Sequence, residues 1–318
     1  MAFMNDYSEL IAICIPTYNR PNFIKKQIET LCPILKKYNI KVYISDNSES
    51  NDTKMIIEKF KDKFDVSYFK NETNIKDRNF LKAISYPSAQ YRWIISDSTI
   101  FDEENLNKLI DICKMTKYDY ILLNTGRSEI ITDQEYNDYN LLLKELGWHL
   151  TCLSSFVYSK TIIEYSDSIE RYLDGNFIHH ALLFEIIPFK DKRIYWIGSF
   201  IMNSLSLQKL NTWTNFTYEI WTKRWTEYIL SLPDKYTLEN KLNCIKDHGI
   251  KSSLFNFKRI IIQYCRGVYN REIYKKYNKY FKYAMTRTIR ITLHFILFLP
   301  NKLLIRILQV YTFIRGGS

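Results

Sequence analysis

The sequence holds few of the residues that break regular structure: its 318 residues include only eight glycines and seven prolines. It has no internal repeats or low-complexity tracts, so long flexible linkers are excluded and a compact chain rich in helix and strand is expected. Its six cysteines (Cys14, Cys32, Cys113, Cys152, Cys244, Cys265) are irregularly spaced and include no C-x-x-C pair. That argues against a disulfide scaffold and for a reducing compartment. Residues 1–10 contain Asp6 and Glu9 and no apolar run, so no secretory signal is predicted there. The apolar stretch at 291–299 falls short of the roughly 20 residues that span a bilayer. RNP, KH, zinc and helix-turn-helix signatures are all missing.

What is present is aromatic and basic. Aromatic residues make up 16% of the chain, 25 of them tyrosines, and the formal charge is +11. Such a charge favours anionic partners: nucleotides, nucleic acid or anionic lipid. The pattern of apolar residues is more specific. Short apolar runs at 10–15, 41–45, 65–69, 91–95 and 118–124 read as strands, and helical periodicity appears at 22–35, 52–60, 79–85 and 105–115. Alternation of this kind predicts a mostly parallel sheet flanked by helices, an α/β fold. Ligands of such sheets bind outside the carboxyl ends of the strands. Three of these ends are polar here: Thr17-Tyr18-Asn19-Arg20, Asp46-Asn47-Ser48 and Ser96-Asp97-Ser98. Neighbouring strands would bring them to one crevice.

Further along, 133–150 reads as helical or irregular, 153–158 as a strand, 178–187 as a buried helix and 193–197 as a strand. From about 211 the chain is rich in Trp, Tyr and Lys and helical by pattern. A boundary is therefore placed at 210. Residues 1–210 are expected to form the main domain, with halves at about 1–130 and 131–210, and 211–318 a helical region with a basic amphipathic tail.

Ile13-Cys14-Ile15-Pro16-Thr17-Tyr18-Asn19-Arg20 resembles the first strand and donor-binding loop of the family 2 nucleotide-sugar glycosyltransferases. Residues 44–53 resemble its second strand and loop, and residues 74–80 the lead into its next helix. Trp93-Ile94-Ile95-Ser96-Asp97-Ser98 stands where that family carries its acidic D-x-D signature. The resemblance covers the first half of the chain and fades beyond about 200. It implies a Rossmann-like GT-A fold and inverting transfer of a sugar from a nucleotide-diphosphate sugar to an acceptor hydroxyl. The setting it implies is synthesis of bacterial cell-surface polysaccharide or glycolipid, on the cytoplasmic face of the membrane.

The donor-binding residues expected on this basis are Pro16, Thr17, Tyr18, Asn19, Arg20, Asp46, Asn47, Arg78, Ser96, Asp97 and Ser98. Asp46 is placed to accept the ring N–H of a uracil-like base, although an Asx turn ahead of Asn47 and Ser48 accounts for it too. Arg78 would offset diphosphate charge, or would simply be exposed at a helix start. The D-x-D signature is incomplete: Asp97 is followed by Ser98 and Thr99, leaving one carboxylate. Mn²⁺ or Mg²⁺ held by Asp97 with diphosphate oxygens and water is one expectation. Charge stabilisation by Lys or Arg is the alternative.

The acceptor hydroxyl needs a general base. Residues 172–180 (YLDGNFIHH) supply the candidates, Asp174 first and then His180 or His179, with N-capping and core packing as competing roles. Glu185, among Phe184, Ile186 and Ile187, is a weaker candidate. Residues 287–315 mix bulky apolar side chains with Arg287, Arg290, Lys302, Arg306 and Arg315 and contain no acid, a composition suited to an anionic membrane surface. Pro300 is expected to divide this tail into two short helices. Trp221 and Trp225, with Trp213 upstream, fit either core packing or sugar stacking. Two rival readings stay open: a non-catalytic scaffold of the same fold, and a nucleic-acid-binding protein.

Overall fold

The computed structural model describes residues 6–205, 214–300, 302–306 and 309. Its first unit comprises 6–142 and 149–205, and its second comprises 143–148 and the described residues from 214 onward. The sequence reading places one boundary at 210 and did not anticipate that 143–148 group with the helical region.

The first unit is built on an eight-stranded sheet. The elements up to residue 205 are β1 (Ile11–Thr17), α1 (Pro21–Lys37), β2 (Lys41–Asp46), α2 (Asp52–Glu58), β3 (Val66–Lys70), α3 (Arg78–Ser85), β4 (Tyr91–Ile94), β5 (Thr99–Ile100), α4 (Glu103–Lys114), β6 (Tyr120–Leu123), β7 (Gln134–Tyr136), α5 (Tyr139–Leu146, whose second half groups with the second unit), β8 (Phe156–Ser159), α6 (Ile178–Phe184), β9 (Ile194–Ile197) and β10 (Asn203–Ser204). The order across the sheet is β3-β2-β1-β4-β8-β6-β9-β7. β1 is central because it is apolar on both faces: Ile11, Ala12, Ile13, Cys14 and Ile15 are all buried. It pairs in parallel with β2, Thr17 opposite Asp46, and with β4, Cys14 opposite Ile94. The polar ends of β1, β2 and β4 are therefore neighbours at one edge of the sheet.

Helices cover the sheet through apolar stripes. α1 starts at Pro21, where the missing N–H costs nothing, and buries Phe23, Ile24, Ile28, Leu31 and Leu35. α4 is N-capped by Asp102, whose carboxylate accepts the Asn105 N–H at 2.9 Å.

The sheet departs from the expected parallel pattern at β8, which lies antiparallel between β4 and β6, and at β7, antiparallel to β9. β8 reaches the sheet after a long excursion through β5, α4, β6, β7 and α5 rather than through one crossover helix, so nothing fixes its direction as parallel. β5, β7 and β10 have two or three residues each, too short for a periodicity to register. Residues 160–172, a run of 3-10 turns, were not anticipated either.

The second unit holds α7 (Trp225–Ser231), α8 (Leu238–Lys251), α9 (Phe257–Cys265), α10 (Arg271–Ala284) and α11 (Arg287–Ile296). Thr237, Asn256, Asn270 and Thr286 each cap the helix that follows by accepting a backbone N–H three residues on. Residues 302–306 resume helical structure beyond Pro300. Trp221 and Trp225 are buried, and the His248 ring stacks on Trp221 at 4.1 Å, which makes them packing residues rather than a sugar platform. Trp213 and Arg315 lie outside the described residues.

α8 and α10 meet at Gly249, where an added Cβ would fall 1.9 Å from the Ala284 carbonyl oxygen. Backbone cannot yield there as a flexible side chain would. Gly249→Ala is expected to cost about 2 kcal/mol or more of stability, read as a lower urea midpoint, because overpacked sites force backbone shifts.

Candidate active site

The loop after β1 is shaped by Asn19, whose φ of 52° lies in the left-handed region that asparagine tolerates better than most residues. Its N–H donates to Ser48 Oγ at 2.7 Å, tying the first polar strand end to the second. Asp46 organises that second end. Its Oδ1 accepts the Ser48 N–H at 2.8 Å and the Ser48 hydroxyl, and its Oδ2 accepts the Tyr68 hydroxyl at 2.8 Å. Asp46 is fully buried, so it is not the open acceptor expected for a base. The Asx-turn role is the one observed.

Amides join these ends. Asn71 donates to Asn47 Oδ1 at 2.8 Å and to Asn79 Oδ1 at 2.9 Å, and Asn79 donates to the Ser45 carbonyl at 3.1 Å. Asn47 donates to Asn74 Oδ1 at 3.0 Å. Sequence reasoning missed Asn71, Asn79 and Tyr68. The available signal was their place beside strand ends and a helix start already singled out.

Asp97 is the buried charge of the site, 4% exposed. Its Oδ2 accepts the Thr17 hydroxyl at 3.0 Å, and Arg20 Nη1 stands 2.6 Å from its Oδ1. Burial pushes its carboxyl up to about 6, opposed first by the Arg20 charge and then by the Thr17 hydrogen bond. The turn that carries it is held from beneath: Gln27, also missed from sequence, donates to the carbonyls of Ser96 and Thr99, each at 2.7 Å. Hydroxyls replace the missing acids. Ser96 Oγ lies 2.8 Å from Thr99 Oγ1, which lies 2.7 Å from Ser154 Oγ, and Ser96 and Ser98 are 3.2 Å apart. The Leu205 N–H donates to the Ser98 carbonyl at 2.8 Å, where β10 pairs with β5. Tyr18 is exposed and Pro16 half-buried at the same edge.

Residues 74–78 bridge these strand-end loops to residues 170–176. Lys76 faces Asp174 at 3.3 Å, Arg78 faces Glu170 at 3.2 Å, and Asp77 Oδ2 accepts the Asn176 N–H at 2.9 Å. Arg78, expected on the diphosphate, is here paired with a carboxylate across the cleft. A cavity of about 510 Å³ is lined by Asn74, Ile75, Lys76, Arg78, Glu170, Leu173 and Asp174. Asp174 has a φ of 63° and an exposed carboxylate, so its side chain is presented rather than packed.

The histidines are placed otherwise. His180 is fully buried with its ring stacked on Phe184 at 4.2 Å. His179 is buried, its Nε2 lies 3.2 Å from the Thr151 carbonyl oxygen, and burial pushes its imidazole down to about 4. Both belong to the core behind the cleft, which corrects the expectation that either one faces an acceptor. Glu185 is bound by Arg171 at 2.7 Å.

A model of glycosyl transferase family 2 matches residues 12–173, the span that contains every one of these strand ends. The chain belongs to that family. A Salmonella typhimurium family relative, abequosyltransferase RfbV, is 27% identical over 203 residues. That alignment takes in 56% of this chain and 61% of the relative, so the chain spans about three-fifths of its length. Among solved structures, S. aureus TarS 1–349 in complex with UDP-GlcNAc superposes with a TM-score of 0.55 at 13% identity, covering 96% of this chain and 92% of that one. The mannosyltransferase PcManGT from Pyrobaculum calidifontis, in complex with GDP-Man and Mn²⁺, gives 0.50 at 9% identity, covering 92% and 88%. At such identities the likeness carries the fold alone, and the family assignment rests on the sequence match.

Proposed function

We propose that the chain is an inverting glycosyltransferase that moves a sugar from a nucleotide-diphosphate sugar to an acceptor hydroxyl in bacterial cell-surface polysaccharide or glycolipid synthesis. The observation that carries this reading is Asp97: a buried carboxylate held between Arg20 and Thr17 at the adjoining ends of β1 and β4, in a chain of this family. A buried charge is costly to keep. Structures of the same fold hold donors of this class, UDP-GlcNAc in the S. aureus protein and GDP-Man in the archaeal one.

In the reaction, the acceptor oxygen attacks the anomeric carbon as its proton passes to Asp174. The bond from that carbon to the diphosphate oxygen breaks, and its electron pair leaves with the nucleoside diphosphate. Residues 74–78 stand between the two halves, touching Asn47 on one side and Asp174 on the other, and so set the spacing of donor and acceptor.

The Mn²⁺ of the archaeal neighbour brings a divalent cation into consideration. The residues here do not fit one held by the chain. Asp97 is the single acid of its turn and both its oxygens face protein groups, while Ser98 and Thr99 offer neutral hydroxyls. No step is assigned to a metal.

The setting proposed is the cytoplasmic face of the membrane. No helix among the described residues is long and apolar enough to cross it. α11 and the turn after it expose Ile291, Phe295 and Phe298, with Leu303 and Ile305 beyond. Arg287, Arg290, Lys302 and Arg306 flank them, and residues 273–318 contain no Asp or Glu. Apolar side chains rimmed by cations fit an anionic bilayer, which would also present a lipid-linked acceptor. The chain is expected to sediment with phosphatidylglycerol vesicles and not with phosphatidylcholine ones, and Phe295→Glu with Phe298→Glu is expected to weaken that binding at least about tenfold.

The test of the main reading is a thermal-shift screen of nucleoside diphosphates and their sugars. One of them should raise the melting temperature of the wild type. If none does, the donor site is wrongly assigned, and the scaffold and nucleic-acid readings replace it.

A further inference from the structure

We infer that Arg20 is this chain's own cation for the donor diphosphate, standing in for the metal that the Ser96–Asp97–Ser98–Thr99 turn is not equipped to hold. The inference rests on the donor-site reading above and goes beyond it. Four observations carry it. First, position: Arg20 is the residue that precedes α1, at the strand end where the donor is placed, and Pro21 then starts the helix. Second, rigidity: its guanidinium carbon lies 3.9 Å from the centroid of the Phe23 ring, so the long stem is pinned against the first turn of α1 rather than free in solvent.

Third, unused capacity. Arg20 is 37% exposed at the side chain whereas Asp97 is almost wholly enclosed, so the guanidinium has an open face and the carboxylate does not. Nη1 stands 2.6 Å from Asp97 Oδ1, yet that oxygen receives no aligned hydrogen bond. The ion pair is off-axis, and the planar fork of N–H donors that suits two phosphate oxygens side by side is not consumed by Asp97. Fourth, the neighbouring cations are engaged elsewhere: Lys76 faces Asp174, Arg78 faces Glu170, and Lys70 at the end of β3 donates to the carbonyls of Glu49 and Ser50.

With a diphosphate in place, Arg20 can turn its donors onto the phosphate oxygens without leaving the neighbourhood of Asp97. The charge it meets is greatest when the bond to the anomeric carbon breaks and the leaving oxygen takes the electron pair, so the contact strengthens along the reaction. Asp97 holds the guanidinium in waiting, and the hydroxyls of Ser96, Ser98, Thr99 and Ser154 give the turn its shape without adding negative charge that a metal would have to offset.

The test is calorimetric titration of the full chain with UDP, GDP and CDP, and with uridine, guanosine and cytidine, in EDTA and in Mn²⁺. The diphosphate that binds is expected to do so within about threefold of the same affinity in both buffers. Arg20→Ala should weaken it by about 10–100-fold, the range of a charge-assisted hydrogen bond, and Arg20→Lys by less. Both variants should bind the matching nucleoside within about twofold of wild type. Wild-type binding that EDTA abolishes and Mn²⁺ restores would overturn the role of Arg20 and leave the donor site standing. Equal losses for nucleoside and diphosphate in Arg20→Ala would also overturn it, since Arg20 would then merely shape the loop. If no nucleotide or nucleoside binds in either buffer, the donor-site reading falls and this inference falls with it.

Discussion

Asp97→Asn is expected to lower kcat/KM for sugar transfer by about 10²–10³-fold while leaving the protein at least as stable as the wild type at neutral pH. The first half follows from what the carboxylate holds. Thr17 donates to it and the Arg20 guanidinium stands beside it, and Asn keeps the size and one acceptor but not the charge that positions the guanidinium. The second half follows from burial. Asp97 is 4% exposed and its carboxyl sits at about 6, above the ordinary 3.8, so the native state favours the protonated form more than the unfolded chain does. A carboxyl raised in this way stabilises the fold below about 4 relative to its behaviour at neutral pH, and that advantage is lost as pH rises through 6. Asparagine does not titrate. The melting temperature of the variant, compared with wild type, should therefore gain as pH rises from 4 to 6 and level off above it. A residue kept for packing would lose stability on substitution at neutral pH as well. Activity lost with stability unchanged or improved marks a group retained for function. Wild-type turnover in the variant would remove Asp97 from the donor site.

The sequence made the donor half legible because its signals are local. An apolar run that ends in Thr17-Tyr18-Asn19-Arg20 or Asp46-Asn47-Ser48 names both the strand and the loop beyond it, and parallel pairing of β1 with β2 and β4 brings those loops together. Which partner each side chain takes was not legible. Asp46 looks open from its neighbours in sequence, and it is closed by Tyr68, 22 residues away. Gln27 reads as one polar residue in a helix, yet it carries the turn around Asp97 from 69 and 72 residues off. The acceptor half was less legible still. Its strands β7 and β8 run antiparallel to their neighbours, its residues 160–172 form 3-10 turns with no periodic signature, and adjacent histidines on a helix look the same whether they face a cleft or a core. Burial separates them, and burial belongs to the tertiary structure.

Asp174→Asn is expected to lower kcat by about 10²–10⁴-fold, the usual weight of a general base, with donor affinity nearly unchanged. Of the candidates named from sequence, Asp174 is the one that presents an exposed carboxylate. Its carboxylate is exposed at a cavity of about 510 Å³, on a loop held across the cleft by Lys76 and by the Asp77–Asn176 contact. The loop also keeps a backbone that few residues accept, with φ of 63° at Asp174 and 73° at Asn176. Such conformations persist where surrounding contacts enforce them, and they cluster where a side chain must be aimed. Asn retains the tolerance for this backbone, so a loss in Asp174→Asn reports the carboxylate and not the loop. Lys76→Ala supplies the complementary test. It removes the cation facing Asp174 while leaving the carboxylate, and should change kcat far less than Asp174→Asn does. His179→Gln and His180→Gln separate the rival bases, because both rings are core residues: these variants should lose melting temperature, with any activity loss tracking the folded fraction. If Asp174→Asn keeps its kcat while a folded histidine variant loses the limb of the pH–rate profile that reports the base, the assignment passes to that histidine. The core around α6 must then open during turnover to let an acceptor reach the ring.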